Sequence, residues 1–248
     1  SSCGMLCARV LEDVYFTTLL PPEEVAALFI EPVQGEGGYI VPPREFIQEI
    51  AAICRRHGIL LVDDEIQAGM GRTGRMWAIE HYDVIPDIMC TAKALGSGVP
   101  IAATIFSRRL DMSTGAHSTT YGGNLLACAA SLATLDIIEE GRLAERASRL
   151  GNYLHRRLLE LQERHDMIGD VRGLGLMQAI ELVKDRQSKA HAVAERDRAI
   201  ELAFKRGAIL LPAGRSTIRF VPPLIVEEDF LDEGVDILDG VLGDVVRS

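Results

Sequence analysis

The sequence contains no apolar run that approaches the roughly 18–20 residues needed to cross a bilayer, so it predicts no membrane-spanning helix. It also lacks any block rich in lysine or arginine. Lys+Arg number 26 against 36 Asp+Glu, which leaves a formal net charge of −10. Because a protein that binds a phosphate backbone needs a basic face, this balance argues against nucleic acid as a partner.

Cysteine is scarce, and its five residues are scattered over 248 positions as Cys3, Cys7, Cys54, Cys90 and Cys128. An odd, dispersed set excludes a disulfide scaffold and is typical of reduced thiols in a cytoplasmic protein. Cys3 and Cys7 would share one helix face. With no second Cys or His pair nearby, no metal site is predicted. The sequence shows no internal repeat and no low-complexity linker.

The composition, with 48% hydrophobic and 25% charged residues, is that of a globular protein of one large or two modest domains. Short apolar runs alternate with helical patterns, which predicts an α/β fold. The first part is expected to hold strands near 27–31, 59–63, 87–92 and 101–106, with helices over 44–57 and 124–139. The second helix is rich in alanine and leucine and is expected to be largely buried, with Ala127, Ala130, Leu132 and Leu135 in the packed surface.

The pattern changes near Gly141, where a charged amphipathic helix is predicted over residues 142–164. Two strands around 169–183, a helix over about 190–205, strands near 208–211 and 217–221, and a closing amphipathic helix are expected to follow. We therefore expect a large-domain part over residues 1–145 and a small C-terminal α+β domain over residues 146–248.

A glycine-rich segment, Gly69 to Gly74 (GMGRTG), matches the GxGxxG pattern of dinucleotide-binding folds. In that motif a strand runs straight into the first glycine and a helix opens at the last. Here five residues, two of them acidic, separate the preceding strand from Gly69, and Pro86 interrupts the short segment after Gly74. The glycine-rich segment is therefore predicted to be a tight turn beside a site.

Two predicted strand ends carry an acid and a lysine, which are residue types used in catalysis. Asp64 lies within Asp63-Asp-Glu65 at the end of one apolar strand, and Lys93 comes after the next strand. Ligands bind at the carboxyl ends of strands in open α/β sheets. A lysine there is expected to be partly desolvated, which frees its amine as a nucleophile. A strand-end acid and lysine are the minimum needed for pyridoxal 5′-phosphate (PLP): the lysine holds the cofactor and the acid keeps its pyridine nitrogen protonated.

Four ordered motifs strengthen this interpretation: EPVQGEGG from Glu31, DDEIQAGMGRTG from Asp63, TAKALG from Thr91 and STTYGGN from Ser118. Together they closely resemble the class III (omega-) aminotransferases, the group of 4-aminobutyrate, ornithine and acetylornithine aminotransferases. The resemblance runs from about residue 22 to the C-terminus. It implies the fold type I of PLP-dependent transferases, with part of a large-domain mixed sheet that has helices on both faces, plus the small C-terminal domain.

The resemblance also implies roles for single residues. Lys93 would be the lysine that binds PLP and moves the proton, Asp64 would pair with the pyridine nitrogen, and Gln67 would bind the phenolic oxygen. Thr120 would bind the cofactor phosphate of the neighbouring subunit, which implies a homodimer with shared active sites, or a higher oligomer. Arg219 would bind the α-carboxylate of 2-oxoglutarate, and Glu36 would hold Arg219 aside for substrates that lack this carboxylate.

Each role has a structural alternative that the sequence leaves open. Lys93 could be an ordinary surface lysine, and Asp64 could be a helix cap. Gln67 could satisfy backbone groups of its turn, and Thr120 could belong to the start of the helix after it. Arg219 and Glu36 could form a structural ion pair and order a glycine loop, respectively.

The implied activity is transfer of an amino group from an omega-amino acid, of the 4-aminobutyrate or ornithine type, to 2-oxoglutarate in the cytoplasm. Two alternatives stay open: an amino acid racemase of the same family, and an inactive fragment. The second arises because the family's N-terminal half, which supplies a Gly-Ser phosphate loop and an aromatic residue over the ring, has no counterpart before Ala27. We expect the chain to be a fragment whose sheet edges need a covering chain.

Overall fold

The computed structural model describes residues 5–247, which form two units; Cys3 lies outside this range. The first unit comprises the chain up to Pro32 together with Pro42–Met70 and Arg75–Gly141. The second comprises Val33–Val41, Gly71–Gly74 and the chain from Arg142 onward. Two short segments from the first half of the sequence thus belong to the second unit.

The first unit is built on a four-stranded sheet of β1 (Ala27–Ile30), β2 (Leu60–Asp64), β3 (Ile88–Thr91) and β4 (Ala103–Phe106), in that order. The first three strands are parallel, and β4 pairs antiparallel with β3. This is the mixed sheet that the family resemblance implies. The parallel arrangement directs the carboxyl ends of β2 and β3 to one edge of the sheet.

The helices of this unit are α1 (Leu6–Val10), which continues as a π-helical segment over Leu11–Leu19, α2 (Arg44–His57) and α3 (Leu125–Glu140). Single 3-10 turns lie at Pro22–Glu24, Ala78–Tyr82 and Lys93–Gly96. As predicted, α2 packs its apolar stripe, including Ile47 and Ile50, into the interior. It ends at Gly58, whose φ of 68° is the left-handed conformation that glycine adopts most readily.

The burial predicted for α3 is wrong. The helix forms where expected, but only Ala127, Ser131 and Ile138 are buried, and Leu132 is 62% exposed. Because α3 is apolar on nearly all sides, the sequence pattern does not show which face packs. One side packs against the Lys93–Gly96 turn, and most of the remaining surface is open in the described chain.

The second unit is an antiparallel sheet in the order β5-β6-β8-β7, packed against three helices. Its strands are β5 (Ile168–Leu174), β6 (Met177–Leu182), β7 (Leu211–Ala213) and β8 (Thr217–Phe220), and its helices are α4 (Leu143–Arg164), α5 (Val193–Lys205) and α6 (Glu228–Arg247). Strand β7 begins at Leu211, later than predicted. The core joins inward residues of α4 and α6, such as Leu158 and Leu238, with Ile180 and Ile218 of the sheet.

The segment from Gly69 to Gly74 is a series of turns, and no helix opens at Gly74. Gly71 and Gly74 have φ values of 84° and 93°, which explains the glycines without a dinucleotide. The Arg72 guanidinium donates hydrogen bonds to the carbonyl oxygens of Pro222 (2.5 Å) and Leu176 (3.3 Å). These bonds fasten residues 71–74 within the second unit.

Within residues 5–247, no helix combines the length and apolarity that crossing a membrane requires. Over the same range, no three His, Cys, Asp or Glu side chains converge as ligands for a metal ion. The cysteines of this range, Cys7, Cys54, Cys90 and Cys128, are free thiols.

Candidate active site

At the carboxyl edge of the first sheet, Asp64 ends one strand and Lys93 follows the neighbouring strand. Asp64 is the last residue of β2 and lies opposite Cys90 of β3, and the Glu65 N–H donates to the Cys90 carbonyl at 2.9 Å. Lys93 comes two residues after the end of β3. The parallel pairing of β2 and β3 therefore places an acid and an amine at the same edge of the sheet.

Lys93 opens the one-turn 3-10 helix Lys93–Gly96 with a φ of 40°, in the left-handed region that L-residues seldom adopt. Such conformations cost of order 1–3 kcal/mol and tend to cluster at functional sites. The side chain is exposed, which differs from the partial desolvation expected for it. The reason is that β3 ends at the buried Thr91, and Lys93 already lies on the turn beyond the sheet.

Asp64 is half-buried, and its Oδ1 accepts the N–H of Ile66 at 3.0 Å. Asp64 therefore caps a turn and not the helix that the sequence left open, and this bond orients the carboxylate without using both of its oxygen atoms. Gln67 comes three residues later in the same series of turns and is also half-buried. Both residues lie on one short segment that leaves the carboxyl end of β2.

Asp64 is flanked by two carboxyl groups that the sequence analysis did not assign. Asp63 is fully buried, and its carboxyl group lies next to that of Glu65. Burial, with the nearby Glu65 charge, raises the pKa of Asp63 to about 9. Burial also raises the pKa of Glu65 to about 6, although its Oε1 accepts the Ile79 N–H at 2.8 Å.

Thr120 lies in the exposed loop that leads into α3. The helix start is organised by its neighbours: Asn124 Oδ1 accepts the Ala127 N–H at 3.0 Å, and Thr119 Oγ1 accepts the Gly122 N–H at 3.1 Å. Neither of these two capping bonds involves the Thr120 side chain. Its assignment to the phosphate of a neighbouring subunit stays a prediction.

The second unit brings Glu36 and Arg219 together. Arg219 Nη1 contacts Glu36 Oε1 at 2.5 Å, although 183 residues separate the two in sequence. The Arg219 side chain is 15% exposed, whereas Glu36 is 71% exposed. A largely buried guanidinium paired with an exposed, movable carboxylate can exchange that carboxylate for one from a ligand.

Two further residues frame this pair and were missed by the sequence analysis. The Tyr39 ring lies 5.9 Å from Arg219 Cζ, and Arg172 donates two hydrogen bonds to the Gly38 carbonyl oxygen. Tyr39 is fully buried, and this burial raises the pKa of its hydroxyl. The available signals were weak: a tyrosine directly after a Gly-Gly pair, and an arginine directly before Gly173-Leu-Gly175.

Comparison with known proteins places this geometry in a family. The model of the family described as "Aminotransferase class-III" matches residues 3–242. The chain belongs to the class III aminotransferases.

Individual relatives carry different activities. The chain is 41% identical over 247 residues to a leucine/methionine racemase of Thermococcus litoralis, covering 99% of this chain and 56% of the racemase. It is also 41% identical over 228 residues to a 4-aminobutyrate aminotransferase of Mycobacterium leprae, covering 90% and 50%. The chain thus spans about half the length of the curated relatives it matches.

A solved structure agrees in fold. The PLP-bound crystal structure of an amine transaminase from an uncultivated Pseudomonas species superposes with a TM-score of 0.90 at 37% identity, over 96% of this chain and 56% of that one. The expected fold type I of PLP-dependent transferases is therefore confirmed.

The cofactor of this family is PLP, and the residues of the first unit fit it. PLP requires an amine for its aldehyde, an anionic partner for its pyridine nitrogen and a donor for its phenolic oxygen. Lys93, Asp64 and Gln67 have the chemistry for these three groups and would hold the cofactor from the ends of β2 and β3 and the turns beyond them. In the described chain the Lys93 amine is open to such a ligand.

Proposed function

We propose that this chain carries the active site of a PLP-dependent aminotransferase that moves an amino group from an omega-amino acid, of the 4-aminobutyrate or ornithine type, to 2-oxoglutarate. The observation that carries the proposal is the position of Asp64 at the end of β2 and of Lys93 two residues beyond the end of β3, at the carboxyl ends of two adjacent parallel strands in a class III aminotransferase chain. Because the chain spans about half the length of its relatives, the activity and the substrates are proposals.

Each proposed site residue of the first unit has a separate role in binding the cofactor or moving a proton. PLP, when bound, supplies an electron sink that stabilises negative charge at the substrate Cα. Lys93 Nζ would hold the cofactor covalently, and once the substrate amine had taken its place on the cofactor, the freed Nζ would remove the Cα proton and return it as general base and acid. The Asp64 carboxylate keeps a proton on the pyridine nitrogen by accepting a hydrogen bond from it. Gln67 donates to the phenolic oxygen, and Thr120 donates to the phosphate bound by the neighbouring subunit of a homodimer.

The residues of the second unit select substrates. Arg219 donates two hydrogen bonds to the α-carboxylate of 2-oxoglutarate or glutamate, the geometry that a guanidinium prefers. Glu36 occupies Arg219 when an omega-amino substrate, which has no carboxylate at that place, is bound. The 2.5 Å contact between the two side chains supports this exchange.

The experiment is a transamination assay of the purified protein with 4-aminobutyrate or ornithine and 2-oxoglutarate, which measures glutamate formation. We expect Arg219→Lys to raise KM for 2-oxoglutarate by about 10- to 100-fold, because a bidentate charge-assisted contact is lost. The control is Arg215→Lys, an exposed arginine next to the same strand, which should leave KM unchanged. An equal KM in Arg219→Lys and wild type would contradict the assigned role.

A second function is racemisation of an amino acid, which the 41% identity to a racemase over nearly the whole chain favours. In that reaction the Cα proton returns to the opposite face, and no oxo acid is formed. Chiral chromatography of an amino acid incubated without an oxo acid separates the two functions. Loss of optical purity without oxo acid indicates racemisation, whereas oxo acid formation matched by glutamate indicates amino transfer.

We also propose that the protein works in the cytoplasm. The support for this location is the odd, dispersed set of cysteines, which is typical of reduced thiols.

A further inference from the structure

The Arg172 guanidinium uses each of its nitrogen atoms inside the second unit. Nε and Nη2 donate to the Gly38 carbonyl oxygen at 2.9 and 2.6 Å, and Nη2 also donates to Thr217 Oγ1 at 3.0 Å. Nη1 contacts Asp170 and Glu181, each at 2.8 Å. The side chain is only 16% exposed. Two charge-assisted bonds to one loop carbonyl make Arg172 a clamp on that loop.

The clamped loop, residues 34–40, has a backbone that is not relaxed. Gly38 has a φ of 122° and Tyr39 a φ of 56°, which is uncommon for a bulky residue. Strained backbone conformations of this kind persist only where several surrounding contacts hold them in place. Within the loop, the N–H groups of Gly38 and Tyr39 both donate to the Gly35 carbonyl. Two groups outside the loop also hold its backbone. Arg172 binds the Gly38 carbonyl oxygen, and the Gly214 N–H donates to the backbone carbonyl oxygen of Glu36 at 2.8 Å.

This loop carries two groups that lie against Arg219. Glu36 contacts Arg219 Nη1 at 2.5 Å, and the Tyr39 ring lies 5.9 Å from Arg219 Cζ. Because the Glu36 side chain is 71% exposed, packing around it does not hold it in place. Exposed ion pairs are weak on their own. The position of Glu36 therefore depends on the backbone of the loop.

We propose that Arg172 is a positioning residue for the Glu36–Arg219 pair. By fixing the Gly38 carbonyl it holds the loop in the conformation that places Glu36 against Arg219 and Tyr39 beside it. Arg172 thereby sets how strongly Glu36 competes with a ligand carboxylate for Arg219. Only the ligand-binding part of the test rests on the proposed function.

A purely structural role is separated from this one by the choice of variant. Arg172→Lys retains a positive charge for Glu181 and Asp170 but cannot form the two-pronged contact with the Gly38 oxygen. Arg172→Met removes both the charge and the donors. The matched control is Arg157→Met in α4, an arginine that is 23% exposed and paired with Asp232 and Asp236.

The first measurement is amide hydrogen exchange on the 248-residue chain without ligand. We expect exchange of the Gly38, Tyr39 and Gly214 amides to speed up by about tenfold or more in Arg172→Lys, as loop openings become frequent. The amides of the β6–β8 ladder and the Arg157→Met control should keep wild-type rates. Unchanged loop amides in a folded Arg172→Lys or Arg172→Met protein would overturn the proposal, whatever the fate of the proposed function.

The second measurement is a double-mutant cycle on the affinity for glutarate, a dicarboxylate probe, by calorimetry. In the wild-type background Glu36→Gln should tighten glutarate binding by about three- to tenfold, because a competitor of the ligand is removed. In the Arg172→Lys background the same change should alter binding by less than about twofold. An equal effect in both backgrounds would overturn the proposal.

If glutarate binding is absent, or is unaffected by Arg219→Lys, the carboxylate site of the proposed function fails. The hydrogen-exchange result then decides the role of Arg172 by itself.

Discussion

At the scale of single residues, the most unusual groups are the buried carboxyls on either side of Asp64. Burial raises the pKa of Asp63 to about 9, and Asp63 therefore folds with its proton at neutral pH. In the unfolded chain an aspartate ionises near pH 4. Between these values the native state binds more protons than the unfolded state, so the free energy of unfolding falls as pH rises through this window.

Asp63→Asn should remove this pH dependence, because an amide resembles the neutral carboxyl and does not ionise. The free energy of unfolding of the variant minus that of wild type should therefore be about 1–4 kcal/mol larger at pH 8 than at pH 5. Urea unfolding at the two pH values measures the difference. The exposed Asp111→Asn serves as the control. Parallel shifts at both pH values would show that Asp63 does not fold in its neutral form.

At this scale the sequence supplies candidate site residues, and their roles stay predictions. Asp64 and Lys93 could be assigned because each comes at or just after the end of an apolar strand, and strand ends are local features. Arg172 could not, because its partner Gly38 lies 134 residues away and the contact is made by a backbone oxygen that carries no sequence signal. The exposure of Lys93 also differed from expectation, since an apolar strand pattern does not reveal where the strand stops.

At the scale of helices and strands, α4 contains a glycine whose role is close packing. A Cβ at Gly151 would lie 2.0 Å from the backbone oxygen of Gly175, and backbone cannot move aside as a flexible side chain can. In an open helix, alanine in place of glycine would stabilise by about 1 kcal/mol. At Gly151 the clash should outweigh this gain, so that the substitution lowers the free energy of unfolding.

Gly151→Ala is therefore expected to lower the free energy of unfolding by about 2 kcal/mol or more, as overpacking does. Gly234→Ala in α6 is the control, because a Cβ there meets nothing within 4 Å and should be neutral or stabilising. Chemical denaturation of both variants tests the pair. A Gly151→Ala protein as stable as wild type would show that α4 does not pack this closely on Gly175, in the turn between β5 and β6.

Helical periodicity predicted α2, α4 and α6 well, because each has one apolar and one polar side. It failed for the burial of α3, which has apolar residues such as Leu125, Leu132 and Ile137 around most of its circumference. Where nearly every position is apolar, the sequence indicates that the helix packs against other surfaces but not which of its faces does so.

At the scale of the whole molecule, the described chain exposes large apolar side chains in the first unit. Phe29 of β1, Tyr121 before α3, and Leu125 and Leu126 at the start of α3 are between 71% and 88% exposed. Exposed apolar surface of this kind marks an interaction surface or an aggregation hazard. We therefore expect the purified chain to associate with itself as concentration rises.

Sedimentation velocity over a concentration series tests this expectation. The double variant Leu125→Glu, Leu126→Glu should shift the distribution toward monomer, because it places charge on the apolar surface. Phe204→Glu in α5, an exposed position of the second unit, should not. A monodisperse wild-type monomer at all concentrations would contradict the expectation.

The central claim is that the end of β3 offers one amine to PLP. The chain has only four lysines, Lys93, Lys184, Lys189 and Lys205, so the attachment point can be mapped without ambiguity. The direct measurement is mass spectrometry of the protein incubated with PLP and reduced with borohydride. We predict one phosphopyridoxyl group on the peptide that contains Lys93, and none in Lys93→Ala. An unmodified wild-type chain, or a label on one of the other three lysines, would contradict the claim.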